Sequence, residues 1–314
     1  YPHIHNYNRE KNKLGEDNIG STLDLREVFF SVTSSEYGSV LAGKTLSLFL
    51  GKNILTDMTL FGVGAVGGVG TSNALSGSTS LGRIGYGYVY PNFNAALRYT
   101  SPDVQGFKLT AGVYDPSRIA NAAAGESATY RDTPLPRWEA ELTHQLALPR
   151  FNVTLDSWGS AMYQTAEQSD GDDVSSWGLG GGTQVAYKGL TITGSGYWGK
   201  GLGSVLMLDV DALDPLGNER RHYGFIAQAT YDFGNDTHLG VSWGTNYTSA
   251  TTAELTTGTP GAIHRFNRLF DVMVWHNVNA NLRVGVEYGN QRTRNRRGDD
   301  SDVNVFSAGG FFFF

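Results

Sequence analysis

His238-Leu239-Gly240-Val241-Ser242-Trp243-Gly244-Thr245-Asn246-Tyr247 alternates without a break. Leu239, Val241, Trp243, Thr245 and Tyr247 share one face of an extended strand, and His238, Gly240, Ser242, Gly244 and Asn246 share the other. The same period returns on both sides. Leu282, Val284, Val286 and Tyr288 oppose Arg283, Gly285, Glu287 and Gly289; Phe107, Leu109, Ala111 and Val113 oppose Lys108 and Thr110. Phe151, Val153 and Leu155 oppose Asn152, Thr154 and Asp156, and an apolar row from Tyr223 to Phe233 opposes Gln228, Thr230 and Asp232. A soluble sandwich and a membrane barrel both produce this period, so the connections have to separate them. Short ones are expected near 33–37, 101–104, 147–149, 188, 234–235 and 277–278, and long polar ones near 9–21, 116–135, 164–173, 200–220, 248–263 and 291–301. Tight turns at one end and long loops at the other belong to an up-and-down transmembrane barrel, whereas a Greek-key sandwich has no reason to obey that rule.

Fourteen strands are predicted, at about 1–8, 22–33, 38–46, 93–100, 105–115, 136–146, 150–163, 174–187, 189–199, 221–233, 236–247, 264–276, 279–290 and 302–314. The even count and the long first and last connections put both termini on the periplasmic side. The chain finishes Gly309-Gly310-Phe311-Phe312-Phe313-Phe314, a terminal aromatic closing an alternating strand. That run breaks the alternation, since two of its four rings would face the barrel interior.

Composition points the same way. Glycine is abundant (41 of 314 residues), aromatics make up 12%, prolines number 9 and charged residues reach only 17%. This suits many strands joined by turns, with Tyr, Trp and Phe available for interfacial girdles. The mean hydropathy is negative, and no apolar run is long enough for a membrane helix; a barrel needs only every second residue to face lipid. Cysteine is absent, which excludes disulfides and thiolate metal sites. The net charge of −6 argues against a nucleic-acid partner. Tyr1-Pro2-His3 does not start a signal peptide, so an exported protein would be read here in mature or trimmed form.

One connection departs from the rest. Residues 47–92 are rich in small and apolar side chains, including Ile54-Leu55-Thr56-Asp57-Met58-Thr59-Leu60-Phe61-Gly62. A loop of this length and composition is expected to be sheltered and functional, and inside a barrel the shelter is the lumen. The whole chain, 1–314, is then one barrel domain with an inward constriction loop at about 47–92.

Several segments resemble the general trimeric porins of bacterial outer membranes, in the same order. Arg26-Glu27-Val28-Phe29-Phe30-Ser31-Val32-Thr33 and Glu36-Tyr37-Gly38-Ser39 resemble the strand and turn before the constriction loop of that family. Gly43-Lys44 stands where the family has Gly-Arg, Thr56-Asp57-Met58 through Phe61-Gly62 resembles the core of its inward loop, and Gly82-Arg83-Ile84-Gly85 resembles the Gly-Arg segment that follows. Arg98-Tyr99-Thr100-Ser101-Pro102, Gly106-Phe107 and Phe314 complete the resemblance, which is detailed over 1–115 and architectural beyond. It implies a sixteen-stranded barrel; because the segment matching the third strand falls at 1–8, either a first hairpin is missing from this chain or the barrel is smaller. The family loop usually carries a second acid where Leu60 stands here.

The resemblance further implies a water-filled pore selective by width and by charge at its narrowest point. Carried over by position, Lys44 and Arg83, with Arg26, are the wall bases, and Asp57 is the loop acid. Two or three bases against one acid would lean towards anions. Arg98, Lys108, Arg137, Glu139, Glu141, Arg283 and Glu287 are expected to set the background field or brace the loop. Glu16 and Asp17, in the charged segment 9–21, are placed as a latch to a neighbouring subunit of a homotrimer; an ordinary solvated loop is the alternative. Small hydrophilic solutes, ions and outer-membrane lipid are the expected partners, with no cofactor.

Other motifs carry less. Gly62-Val63-Gly64-Ala65-Val66-Gly67 fits a dinucleotide fingerprint, but the Gly/Ser-rich stretch after it makes a poor helix. His3 and His5 share a strand face without a third ligand. Glu167, Asp170, Asp172 and Asp173 read as a solvated acidic loop sooner than a Ca²⁺ site. The sequons at Asn152 and Asn246 carry no expectation of glycans in a bacterial barrel. Histidines 144, 222, 238, 264 and 276 are scattered, so no enzyme is expected. The expected function is passive diffusion of small hydrophilic solutes across the bacterial outer membrane; the alternatives are a substrate-selective porin for small organic acids and a non-conducting structural or adhesive barrel.

Overall fold

The computed structural model describes residues 2–5, 22–64, 83–119, 130–168, 173–208, 211–257, 264–296, 298 and 300–313. Its strands are β1 (Pro2–His5), β2 (Thr22–Leu25), β3 (Val28–Ser34), β4 (Gly38–Leu46), β5 (Phe93–Thr100), β6 (Phe107–Tyr114), β7 (Tyr130–Asp132), β8 (Arg137–Leu148), β9 (Val153–Gln168), β10 (Asp173–Tyr187), β11 (Leu190–Lys200), β12 (Arg221–Asp232), β13 (Thr237–Ser249), β14 (His264–Asn277), β15 (Leu282–Asn295) and β16 (Asp300–Phe312). Two short helices, α1 (Gly51–Leu55) and α2 (Thr252–Thr257), lie in connections. None of the described helices is long and apolar enough to cross a membrane.

From β3 to β16, thirteen strands pair antiparallel with their sequence neighbours in one sheet, which β7 joins off the path by pairing with β9. β1 and β2 form a separate pair. Among the described residues the outer edges of β3 and β16 have no strand beside them, so the sheet is not closed there. The predicted strand 22–33 is broken at Arg26-Glu27, and β7 lies inside a stretch expected to be loop.

Two expected long loops are not long: where 164–173 was expected to be loop, β9 runs to Gln168 and β10 starts at Asp173, and 291–301 behaves alike. β15 runs to Asn295 and β16 starts at Asp300, so only four residues remain where 291–301 was expected to be loop. The polar sequence continues as ladder because its charges pair across the strands: Arg294 meets Asp300 at 2.8 Å and Arg292 meets the same carboxylate at 3.4 Å.

Side-chain exposure fixes what the sheet faces. Phe30 (66% exposed), Val32 (68%), Leu97 (53%), Leu109 (51%) and Leu179 (54%) stand bare on one side. Their neighbours on the other side, Glu139, Gln164, Ser176, Gln228, Ser242, Asn246, Asp271 and Glu287, are buried. A soluble sheet does the reverse. Each large apolar side chain left in water forfeits about 1.5–3 kcal/mol, so a whole face of them requires a lipid surround.

The last aromatic run finds its place in this geometry. Phe312 points outward, while Phe311 and Phe313 turn to the polar side and hold Phe61 of the inward segment edge-on, at 5.9 and 6.1 Å. The break in alternation therefore supplies an aromatic clamp. Phe314 lies outside the described residues.

Candidate functional site

Segment 47–64 leaves β4, crosses the polar face and is fastened at each step. Glu139 on β8 accepts the Leu48 and Phe49 amides on one carboxylate oxygen, at 2.6 and 3.1 Å. Its other oxygen takes Arg137 Nε at 2.7 Å, and both side chains are shielded from solvent. Leu50 takes a left-handed conformation (φ 61°) to start α1, and its amide reaches Ser160 Oγ. That backbone costs a leucine about 1–2 kcal/mol, which the complete burial of Phe49 and Leu50 offsets. β10 makes room for them with glycine: a Cβ at Gly180 would stand 2.5 Å from Leu50 Cδ2. Further on, Lys52 meets Asp156 at 3.1 Å and Trp158 donates to Asn53 at 2.9 Å.

The middle of the segment turns on Asp57. One carboxylate oxygen caps the 3-10 turn Met58–Phe61, accepting the Thr59 amide and hydroxyl at 2.9 Å each. The other accepts the Arg83 amide at 2.6 Å and the Tyr88 hydroxyl at 2.7 Å, tying the first half of the loop to its return. Burial, reinforced by Asp57, raises the Tyr88 phenol well above its ordinary value, so it stays a donor. The Arg83 side chain runs into the wall, donating to Leu269 O at 2.6 Å and to Ser242 Oγ. Burial pulls its pKa down, and Asp57 opposes that. Gln228 clamps Thr56 O and the Met58 amide, and Glu287 receives the Val63 and Gly64 amides at 2.8 and 2.9 Å.

A second segment, 201–220, was expected to be an outside loop. It instead lies against the return of the first: Tyr90 and residues 205–207 exchange backbone hydrogen bonds, and Asn246 donates to both Tyr88 O and Ser204 O. Together the two segments build an apolar core on the polar side of the sheet, from Phe49, Leu50, Ile84, Tyr88, Leu202, Met207 and Leu213 against Met162 and Tyr197. The 201–220 segment is pinned by Arg220, which grips Glu254 of α2 at 2.7 Å, and by Asp214, which accepts from Thr251 and from the Leu216 and Asn218 amides. Asp214 is subject to burial, which pushes it up, but these hydrogen bonds bring it below its usual 3.8. A depressed carboxylate stabilises fully above its unfolded value and loses that contribution as pH falls through its folded value. Amide exchange at Leu216 and Asn218 should therefore stay slow down to pH 3.8 and accelerate only below it; acceleration already at pH 5 would be inconsistent with the clip.

The residues expected to line a constriction are distributed differently. Asp57 and Arg83 are brought together, yet as buried parts of the loop brace. Arg26 donates to Tyr90 OH at 3.2 Å and stacks on Phe93. Lys44 is a correction: it is in register with Val28 and Ala95, on the outward face shared by Val32, Val40 and Leu97, not beside Asp57. Counting alternation from Gly38 places it there. Glu16 and Asp17 lie outside the described residues, as do Asp170 and Asp172, and no described group of three His, Cys, Asp or Glu side chains suits a metal. The bracing by Glu139, Arg137 and Glu287 was within reach of the sequence, since acids on a polar strand face need donors. Segment 201–220 carried a different signal, the apolar run Val205-Leu206-Met207-Leu208.

The sequence matches the family model of Gram-negative porins over residues 8–314. No curated protein sequence matches. Among solved structures it is similar to the outer membrane channel DcaP of Acinetobacter baumannii (TM-score 0.67, 14% identity, covering 99% of this chain and 79% of that one). It is also similar to an anion-selective porin from Comamonas acidovorans (0.55, 10%, covering 96% and 80%) and to a loop-deletion mutant of OmpT, an outer membrane protein of Vibrio cholerae (0.53, 15%, covering 96% and 82%). At these identities the likeness concerns the fold, which agrees with the outward apolar face and the inward-folded segments. The chain belongs to the Gram-negative porin family, a β-barrel channel protein of the bacterial outer membrane.

Proposed function

We propose that the protein is a passive diffusion channel for small hydrophilic solutes, assembled as a homotrimer, whose bore is narrowed by segments 47–64 and 83–92 with 201–220 behind them. The observation that carries this reading is the string of wall-to-loop bonds at Glu139, Ser160, Gln228, Ser242 and Glu287, which holds a loop across the polar side of the sheet. Such a loop sets pore width, and the charges beside it set selectivity. Among the described residues an enzymatic reading has no comparable constellation to rest on.

The selectivity reading shifts with the geometry. Lys44 faces outward and Arg83 is spent inside the brace, so the bases expected to favour anions do not stand across open space. The acids that anchor the loop are spent in the same way: Asp57, Glu139 and Glu287 are buried and accept from the segment itself. We therefore favour weak selectivity over the anion preference implied by family position. Planar-bilayer recording under a salt gradient tests this. Steps in threes with a reversal potential near zero are expected. A strong anion-directed potential would restore the wall-base reading and with it a pore for small organic acids; a silent protein would point to a structural barrel.

A further inference from the structure

On the outward face, β13, β14 and β15 carry a cross-strand row that does not suit lipid tails. Thr245 pairs with Arg268, and Arg268 pairs directly with Arg292. Two like charges in register repel unless a counter-charge sits between them. Arg292 has Asp300 at 3.4 Å and Asp302 in register on its far side, but Arg268 has no acidic partner among the described residues; its guanidinium lies 4.4 Å above the Phe266 ring and donates to Tyr247 OH. Three polar atoms of this row are buried without a hydrogen-bond partner: Arg268 Nε, Arg292 Nε and Thr245 Oγ1, the last on a side chain with no exposure at all. Unmet donors of this kind cost about 1–3 kcal/mol each, more when charged.

The level of the row identifies what surrounds it. The next register row outward holds Tyr223, Tyr247 and Phe266, and the next row inward holds Trp243 and Phe270. The Tyr223 and Tyr247 rings stack at 4.9 Å. Aromatics in a girdle mark the membrane–water interface, and the row sits at the end where the long segments 201–220 and 250–263 emerge. Arginine at the bilayer midplane would cost about 2–4 kcal/mol, whereas at the interface it costs almost nothing.

We propose that Arg268 and Arg292 form a binding site for a phosphate-bearing headgroup of the lipid around the barrel. A phosphate monoester between the two guanidinium groups would remove their repulsion and accept from their terminal N–H groups, the planar fork geometry that arginine offers phosphate. Val274 and Val286, further in on the same face, then run beside the acyl chains.

The test uses the full chain in phosphatidylcholine nanodiscs, with and without a minority of bis-phosphorylated lipid A, and native mass spectrometry to count retained lipid A. Retention should fall about tenfold or more in the R268Q/R292Q double variant, and less in R268K/R292K, which keeps the charge and loses the fork. Unchanged strand content by circular dichroism shows that the variants fold; if the double variant does not fold, each single arginine-to-lysine variant carries the same comparison. Equal retention by wild type and variants overturns the proposal. So does saturation of the pair by inorganic phosphate in detergent with no gain from lipid A, which would make free phosphate the ligand. Loss of subunit association with lipid retention intact would make the row an interface between copies and overturn it as well.

Discussion

Replacing Glu139 with alanine should destabilise the protein by about 3–5 kcal/mol and raise its single-channel conductance. The energy follows from burial. Glu139 and Arg137 form a 2.7 Å ion pair with no solvent on either side chain, and removing one partner leaves the other as an uncompensated buried charge. The functional change follows from the second carboxylate oxygen, which accepts the Leu48 and Phe49 amides where the segment leaves β4. Without it, the amides must find water and the Phe49–Leu50 anchor loosens from the wall. Glu139→Gln separates the two effects, because its carbonyl still accepts one set of amides while the pairing charge is gone. Urea unfolding read by tryptophan fluorescence, set beside bilayer conductance, resolves them. A Glu139→Ala protein with wild-type midpoint and conductance would show that the brace holds nothing.

Most of the sheet was legible in the sequence because a strand that faces lipid and water must alternate, and alternation is a local signal. The rows through Trp243 and Val286 appear with the faces that the period assigns. The sheltering of 47–64 against the polar face of the sheet was legible too, from the apolar Ile54–Phe61 run that no exposed loop would carry. Other features were not local. Whether Arg292 and Arg294 end a strand depends on Asp300 arriving opposite them, and Lys44 could be assigned to a face only by counting from the turn at Gly38. The roles of Asp57 and Arg83 were misjudged for a related reason. Position along a family-like segment says that they meet, but Tyr88, Ser242 and Leu269 make their meeting place a closed brace. Segment 201–220 was expected to be an ordinary polar loop although Val205-Leu206-Met207-Leu208 is an apolar run; the core it joins needs partners from another loop, which its own sequence does not reveal.

Asp57 is where the two halves of the inward segment are joined, and its loss should be felt in the current itself. Asp57→Ala removes the acceptor of four hydrogen bonds, two from Thr59 and one each from the Arg83 amide and the Tyr88 hydroxyl. It also strips the Arg83 guanidinium of one of the charges that offset its burial. Hydrogen bonds to a charged group contribute about 1.5–3 kcal/mol each, so the four together exceed what the turn at Met58–Phe61 gains by folding. The expected result is rapid flicker and a larger mean conductance, as the 56–64 stretch swings from the wall. Asp57→Asn should behave nearly as badly, because its amide nitrogen would face two donors in place of an acceptor. A covalent tether distinguishes loop motion from general damage. Met58 Sδ lies 2.7 Å from where a Cβ on Gly240 would stand, and the chain has no cysteine of its own. Adding Met58→Cys and Gly240→Cys to the Asp57→Ala chain should quieten the channel when oxidised and release it when reduced. Flicker that ignores the tether would place the defect elsewhere in the barrel, and a quiet Asp57→Ala channel would leave Gln228 and Glu287 as sufficient anchors by themselves.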